Sequence, residues 1–309
     1  KESRQTRIDP KCPKVYRGIA MNQKIGTCAL CKRENIERKQ SHIIPKGVYR
    51  RSRTKENSHF KNHFHPEEIF QDGEKKYMLC GDCEKFFNSY ETPFFNKYLN
   101  KYLRQPSFSL SNPSDEIKFY FLTVAWRVLY DDLYERHSFE NQAERIMFEE
   151  FEQILWKYLF TEFSKSHPEV MRKQDTDSIA LEGKTFGELI AIAEKERLES
   201  IPPDISKIRS HVYALEELGF PSEISDLFSH GVCGYCFFEK SHKNYYVISL
   251  YQGLAIVTVY HRHLMPYSKR IADFLIDNKI TRAKIKSATK VQIIEYLQEI
   301  ADYSPEERK

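Results

Sequence analysis

Four cysteines in two Cys-x-x-Cys pairs, Cys28/Cys31 and Cys80/Cys83, constrain this chain more than any other feature. Within each pair two thiolates reach one tetrahedral ion, and two pairs complete a four-cysteine zinc site. The pairs are separated by 48 residues, so a site built from them closes a long loop and gathers irregular chain around itself. Structural zinc of this kind contributes folding energy directly. The seven cysteines form three Cys-x-x-Cys pairs and leave Cys12 over, a pattern that fits metal use in a reducing compartment better than a disulfide scaffold. Structural Zn2+ on Cys28, Cys31, Cys80 and Cys83 is therefore the expected cofactor, and the cytoplasm the expected location.

The 309 residues are 40% hydrophobic and 14% aromatic, enough for a globular protein with an ample core. No apolar run approaches the ~18 residues of a membrane span, and the opening Lys-Glu-Ser-Arg-Gln-Thr-Arg stretch has no apolar core of a secretory signal. No membrane association is expected. The net charge of +4 conceals a gradient: residues 1–61 hold 17 Lys/Arg against 5 Asp/Glu, and the remainder 31 against 39. A basic end on an acidic body suits a polyanion, so nucleic acid is the expected partner. Lys46, Arg50, Arg51 and Arg53 concentrate that charge, with Tyr49 interleaved for stacking or phosphate contact. The competing reading is a solvated lysine-rich surface.

The pattern predicts a mixed α+β chain. A basic zinc-binding module over 1–105 is followed, across the Ser/Asn/Pro stretch from Pro106 to Pro113, by a helical region with antiparallel strands over 106–309. Helical spacing predicts helices over about 117–134, 139–163, 185–199 and 290–303. Apolar runs at 232–238, 245–250 and 254–260 predict three strands, with Gln252-Gly253 as a hairpin turn. The long polar loop from Ser52 to Asp72 carries His59, His63 and His65, read mainly as solvated. Cys233 and Cys236 stay open between core cysteines, a second zinc site and a redox pair; in a strand, positions three apart face opposite ways.

Between the knuckles stands Ser41-His42-Ile43-Ile44-Pro45-Lys46, and Leu79-Cys80-Gly81-Asp82-Cys83 runs straight into Glu84. Over about residues 26–95 this arrangement resembles the treble-clef zinc frame of HNH (ββα-metal) nucleases. The resemblance implies a ββα module in a bacterial protein that hydrolyses phosphodiester bonds, a chemistry found in phage defence. It implies His42 as general base, and Glu84, helped by Asn88 or Glu91, holding Mg2+ or Mn2+. Ser41 departs from the pattern, standing where that family places an acidic ligand. Two readings stay open: an HNH-like nuclease, or a zinc-stabilised nucleic-acid or protein-binding module whose catalytic set has decayed. A protein partner or homo-oligomer is compatible with either.

Overall fold

From Ile117 to Leu129 almost every side chain is apolar, and a helix apolar on all sides has to be surrounded. A computed structural model of the chain describes residues 24–53, 60–61, 69–70, 73–105, 108–136, 142–170, 205–230, 234–240, 244–261 and 279–302. In it the apolar stretch lies at the centre of a mixed α+β fold, with Tyr120, Phe121, Trp126 and Leu129 buried.

The chain begins with β1 (Ile25–Gly26), β2 (Ile36–His42) and the short helix α1 (Lys46–Ser52). The two-residue strands β3 (Phe60–Lys61) and β4 (Ile69–Phe70) pair antiparallel with each other. Next come β5 (Lys75–Cys80) and, without a break, α2 (Gly81–Pro93). β2 is the central strand of the sheet β1-β2-β5, antiparallel to both neighbours, with a register shift between Lys39 and Gln40. Two antiparallel strands thus lead directly into a helix.

Pro93 supplies no backbone N–H, and the helix responds by widening. Phe94 N–H bonds the carbonyls of Tyr90 and Glu91, and a π-helical turn (Phe94–Leu99) joins α2 to α3 (Asn100–Arg104). The central helix α4 (Asp115–Tyr130) ends in a second π-helical turn (Asp131–Arg136), and α5 (Gln142–Ser166) follows. β6 (Ile208–Ala214), α6 (Ser222–His230), β7 (Gly234–Lys240), β8 (Asn244–Tyr251), β9 (Leu254–His261) and α7 (Lys279–Asp302) complete the order.

The second half is built on an antiparallel sheet, β6-β9-β8-β7. Its side chains divide by the strand period of two. Tyr245, Val247, Tyr251, Leu254, Ile256 and Tyr260 face the cluster that holds α4 and α5. Tyr246, Ile248, Leu250, Ala255, Val257 and Val259 face a second cluster with Phe228, Ile285, Ile293 and Tyr296. Helices cover both faces, which is why these antiparallel strands read as continuous apolar runs rather than alternating ones. At Gln252-Gly253 both residues have positive φ (55° and 70°), the geometry of a two-residue primed turn.

Around α4 the first cluster is continuous from Cys28 and Leu79 through Phe94 and Trp126 to Tyr251 and Tyr260. The Phe94 and Tyr120 rings stack at 4.0 Å, and the Tyr120 and Tyr251 hydroxyls meet at 3.0 Å. Side chains from both sides of residue 105 share this core.

Several sequence expectations are adjusted by the structure. β6 was not anticipated; Arg209, Ser210 and His211 interrupt its apolar pattern, and it is a strand because residues 208–214 pair along β9. The basic run after Pro45 folds as α1. The terminal helix starts at Lys279 rather than near residue 290. The expected helix over 185–199 lies outside the described residues.

His261, at the end of β9, has Nδ1 2.9 Å from Asn244 Oδ1. Burial, with the charge of Arg209 adding to it, lowers its pKa to about 4. The unfolded imidazole, near ~6.5, takes up its proton first as pH falls, so folded-state stability should drop between about 6.5 and 4, by on the order of 3 kcal/mol. Urea unfolding from pH 7 to 4.5 measures this. His261→Gln should flatten that part of the profile, and an equally steep drop in the variant would show that other groups cause it.

Candidate metal centre and basic cleft

The four sulfurs come from three local structures. Cys28 and Cys31 sit on the turn between β1 and β2, closed by Cys28 N–H to Arg33 O (2.9 Å) and Lys32 N–H to Cys28 O (3.0 Å). Cys80 ends β5, and Cys83 lies in the first turn of α2. All four are buried, and their Sγ atoms lie within 4.8 Å of one another. Cys31 and Cys80 Sγ are 3.8 Å apart, too far for a disulfide. With Zn–S near 2.3 Å, a tetrahedral site has S···S edges of about 3.8 Å, so these residues can hold a metal ion such as zinc.

The surroundings are suited to thiolates. Cys80 N–H donates to Cys28 Sγ (3.3 Å). Arg33 donates from Nε to Cys31 Sγ (3.3 Å) and from Nη2 to Cys80 Sγ (3.0 Å), and its Nη2 also meets Asp82 at 2.6 Å. Hydrogen bonding among the crowded sulfurs lowers the Cys31 pKa to about 6 and lowers that of Cys80, while raising those of Cys28 and Cys83. Two more groups buttress the first knuckle: Trp156 Nε1 donates to Leu30 O (2.8 Å), and Lys32 Nζ lies 5.1 Å from the Trp156 ring centre.

His42, Ser41 and Glu84 lie where β2 meets α2. Ser41 is fully buried and donates its hydroxyl to Glu84 Oε2 at 2.7 Å. Burial raises the Glu84 pKa; the Ser41 hydrogen bond and the charge of Arg127 pull it down in part. One residue further along the strand, the His42 ring lies 6.4 Å from the Tyr49 ring of α1. Consecutive strand residues point to opposite faces, so the Ser41 contact assigns the α2 side to Ser41 and turns His42 toward α1. The four cysteines are the one group of three or more metal-ligating side chains among the described residues, and His42 and Glu84 belong to no such group. Glu84 is a thin donor set for a hard cation that prefers several oxygens.

Glu84, Asn88 and Glu91, expected to share a face looking at His42, take separate partners. Glu84 has Ser41, Asn88 opens on a cleft, and Glu91 pairs with Arg127 at 2.8 Å. Arg127 was not singled out from the sequence. It is fully enclosed in α4, donates to His42 O (3.0 Å), and ties that strand to α2. Its signal in the sequence was a lone charge within the apolar stretch 119–130. Lys76, opposite Ser41 in the β2–β5 register, makes a second link at 2.5 Å to the buried Asp131 at the end of α4.

On the other side of α1 and α2 lies a cleft of about 960 Å³. Lys46, Gly47, Arg50 and Arg51 of α1 form one wall, α2 through α3 another, and Ser229 and Gln252 of the second half close it. Gly47 permits this packing, since a Cβ there would meet the Phe95 ring at 2.4 Å. Arg51 is committed to structure: its guanidinium lies 4.6 Å from the Phe95 ring centre and donates to Gly47 O and Asn100 Oδ1. Lys46 and Arg50 are exposed, while Arg53, also exposed, lies past the end of α1 and does not line the cleft. Tyr49 is buried, which removes it as a stacking surface.

His59, His63, His65, Asp72, Cys12 and Cys233 lie outside the described residues. Cys236 falls on β7. No helix among the described residues is long and apolar enough to cross a membrane. Compared with known proteins, the chain matches no family model, no curated protein and no solved structure.

Two outcomes are expected. Protein purified without chelator should carry one tightly bound metal ion per chain by elemental analysis, and Cys28→Ser or Cys83→Ser should lose the metal and melt the β2–β5–α2 module; less than half an equivalent in the wild type would count against the site. Arg127→Met should destabilise by ~2–4 kcal/mol in urea unfolding because it removes the enclosed partner of the partly buried Glu91 carboxylate and of His42 O. Adding Glu91→Gln should recover a large part of that loss, and a purely additive double variant would rule out the coupling.

Proposed function

We propose that this protein binds nucleic acid, using the four-cysteine centre to hold the frame and the basic cleft to hold phosphates. The observation that carries this reading is the position of Lys46, Arg50 and Arg51 together on one wall of the cleft, on a helix that follows directly from the strand beside the cysteines. Among the described residues that line the cleft the one acid, Glu91, is neutralised by Arg127. Cations gathered in a concave, partly apolar recess attract a polyanion more strongly than the same charges spread over a convex surface. The metal is zinc in this proposal, since four thiolates at tetrahedral spacing suit a soft-leaning cation with no geometric demand of its own. A reducing compartment such as the cytoplasm would suit a centre of four thiolates.

Phosphodiester hydrolysis of the HNH type is the second reading, favoured by the direct contact between Ser41 and Glu84. The resemblance assigns both positions to the metal-holding part of such a site, and they do adjoin. Mg2+ or Mn2+ there would steady charge on the leaving oxygen. His42 is turned toward Tyr49 of α1, away from Glu84, so it would have to swing to the α2 side of β2 before its ring could act as the base toward water. The hydroxyl–carboxylate pair offers one anionic ligand where several are usual, so any activity should be weak and better with Mn2+.

Binding to a mixed-sequence oligonucleotide should weaken steeply as salt rises, with a log–log slope on the order of −2 to −4 for the few phosphates this wall can meet. Lys46→Glu with Arg50→Glu should weaken binding to every sequence, measured by fluorescence anisotropy. No binding at low salt would end the nucleic-acid reading. For the second reading, plasmid and RNA cleavage with Mn2+ or Mg2+ should disappear in His42→Ala at unchanged zinc content; equal rates in the variant would leave binding alone.

A further inference from the structure

We propose that the cleft accepts an unpaired stretch of nucleic acid, a few nucleotides of single-stranded DNA or RNA, in preference to a duplex. This rests on the nucleic-acid reading above and narrows its ligand.

Three features of the cleft point this way. Its volume, about 960 Å³, lies within the range of roughly 300–1,000 Å³ in which proteins enclose small ligands. That space takes nucleotides one or a few at a time, whereas a duplex would rest on the rim. Up to Asn100 the exposed face of the long wall is also hydrogen-bonding rather than cationic. Asn88, Thr92, Asn96 and Asn100 recur every four residues along the continuous rod from α2 through the π-helical turn to α3, and Arg104 is the next step. Side-chain amides carry donors and acceptors that match base edges, and in an unpaired strand those edges are exposed.

The third feature is the platform made by Arg51. Its planar guanidinium lies against the Phe95 ring and is held by Gly47 O and Asn100 Oδ1. A guanidinium plane fixed in this way is a surface on which an unstacked base can lie. Lys46 and Arg50 on one side and Arg104 on the other then bracket the strand with charges for its phosphates. Gln252 and Ser229 extend the polar lining from the opposite half of the fold, so recognition draws on both halves of the chain.

The experiment compares binding of the full-length protein to labelled single-stranded DNA, single-stranded RNA of the same sequence, and a blunt duplex of that sequence, by fluorescence anisotropy at fixed salt. At least one unpaired form should bind about 10-fold or more tightly than the duplex, consistent with stacking contributions of a few bases. Arg104→Glu and Asn96→Asp change exposed side chains of the long wall and should each weaken unpaired binding about 5-fold or more, if each removes one phosphate or base contact. Lys118→Glu, equal in charge change to Arg104→Glu but exposed on α4 and absent from the cleft lining, should leave it within about 2-fold. Duplex binding equal to or tighter than unpaired binding overturns the inference and leaves the broader reading standing. So does a Lys118→Glu effect as large as that of Arg104→Glu, which would mean bulk charge alone. Failure of all three nucleic acids to bind at low salt overturns both.

Discussion

Four buried sulfurs cannot be brought this close without something to balance them, and the first half of the fold is organised around that constraint. Thiolates repel, thiols leave a loosely held polar cluster in the core, and a bound cation resolves both problems. Arg33 offsets part of the negative charge through Cys31 and Cys80. The closure draws the end of β5 against the first knuckle and fixes where α2 starts. Once α2 is placed, Glu84 meets Ser41, Glu91 meets Arg127, and the rod that continues through the widened turn becomes the long wall of the cleft. The four-cysteine cluster thereby sets the positions of the groups around it.

The central helix transmits this arrangement to the rest of the chain. Arg127 and the Lys76–Asp131 pair place formal charges in a mostly apolar interior, where they are costly unless fully paired. Their pairing geometry is exacting, and they fix the angle at which the β2–β5–α2 module docks on α4. The aromatic contacts between Phe94, Tyr120 and Tyr251 add area and depth but tolerate small slips. The ionic links therefore specify orientation, and the apolar cluster supplies the bulk of the burial.

Much of this could be read from residues alone, for identifiable reasons. The cysteine cluster follows from spacing, because two short pairs leave few ways to satisfy four thiolates. β8 and β9 were legible because both faces are covered, and the hairpin because Gln252-Gly253 suits positive φ. α1 was not legible: seven residues that follow a proline, with Gly47, Val48 and Tyr49 inside, have little helical preference, and the helix is held by packing against Phe95. β6 escaped for the same kind of reason, since its partner residues lie forty or more positions away. The mixed α+β class is confirmed by the structure. Sequence could mark the basic run, yet it could not separate Arg51, whose guanidinium is held by Phe95 and Asn100, from Arg50, which is exposed, nor foresee that Arg53 falls off the cleft.

Gln252, at the tip of the β8–β9 turn, donates its side-chain amide to the Ser52 hydroxyl at 2.7 Å and to Ser229 O at 3.1 Å. The first of these contacts joins positions 200 residues apart. On a ribosome adding about 5–20 residues per second, the basic helix would emerge some 10–40 s before the turn that closes over it. Through that interval the nascent chain would present a positively charged, half-walled surface beside the ribosome's own RNA. The Gln252 side of the cleft is thus the last part of its lining to be made.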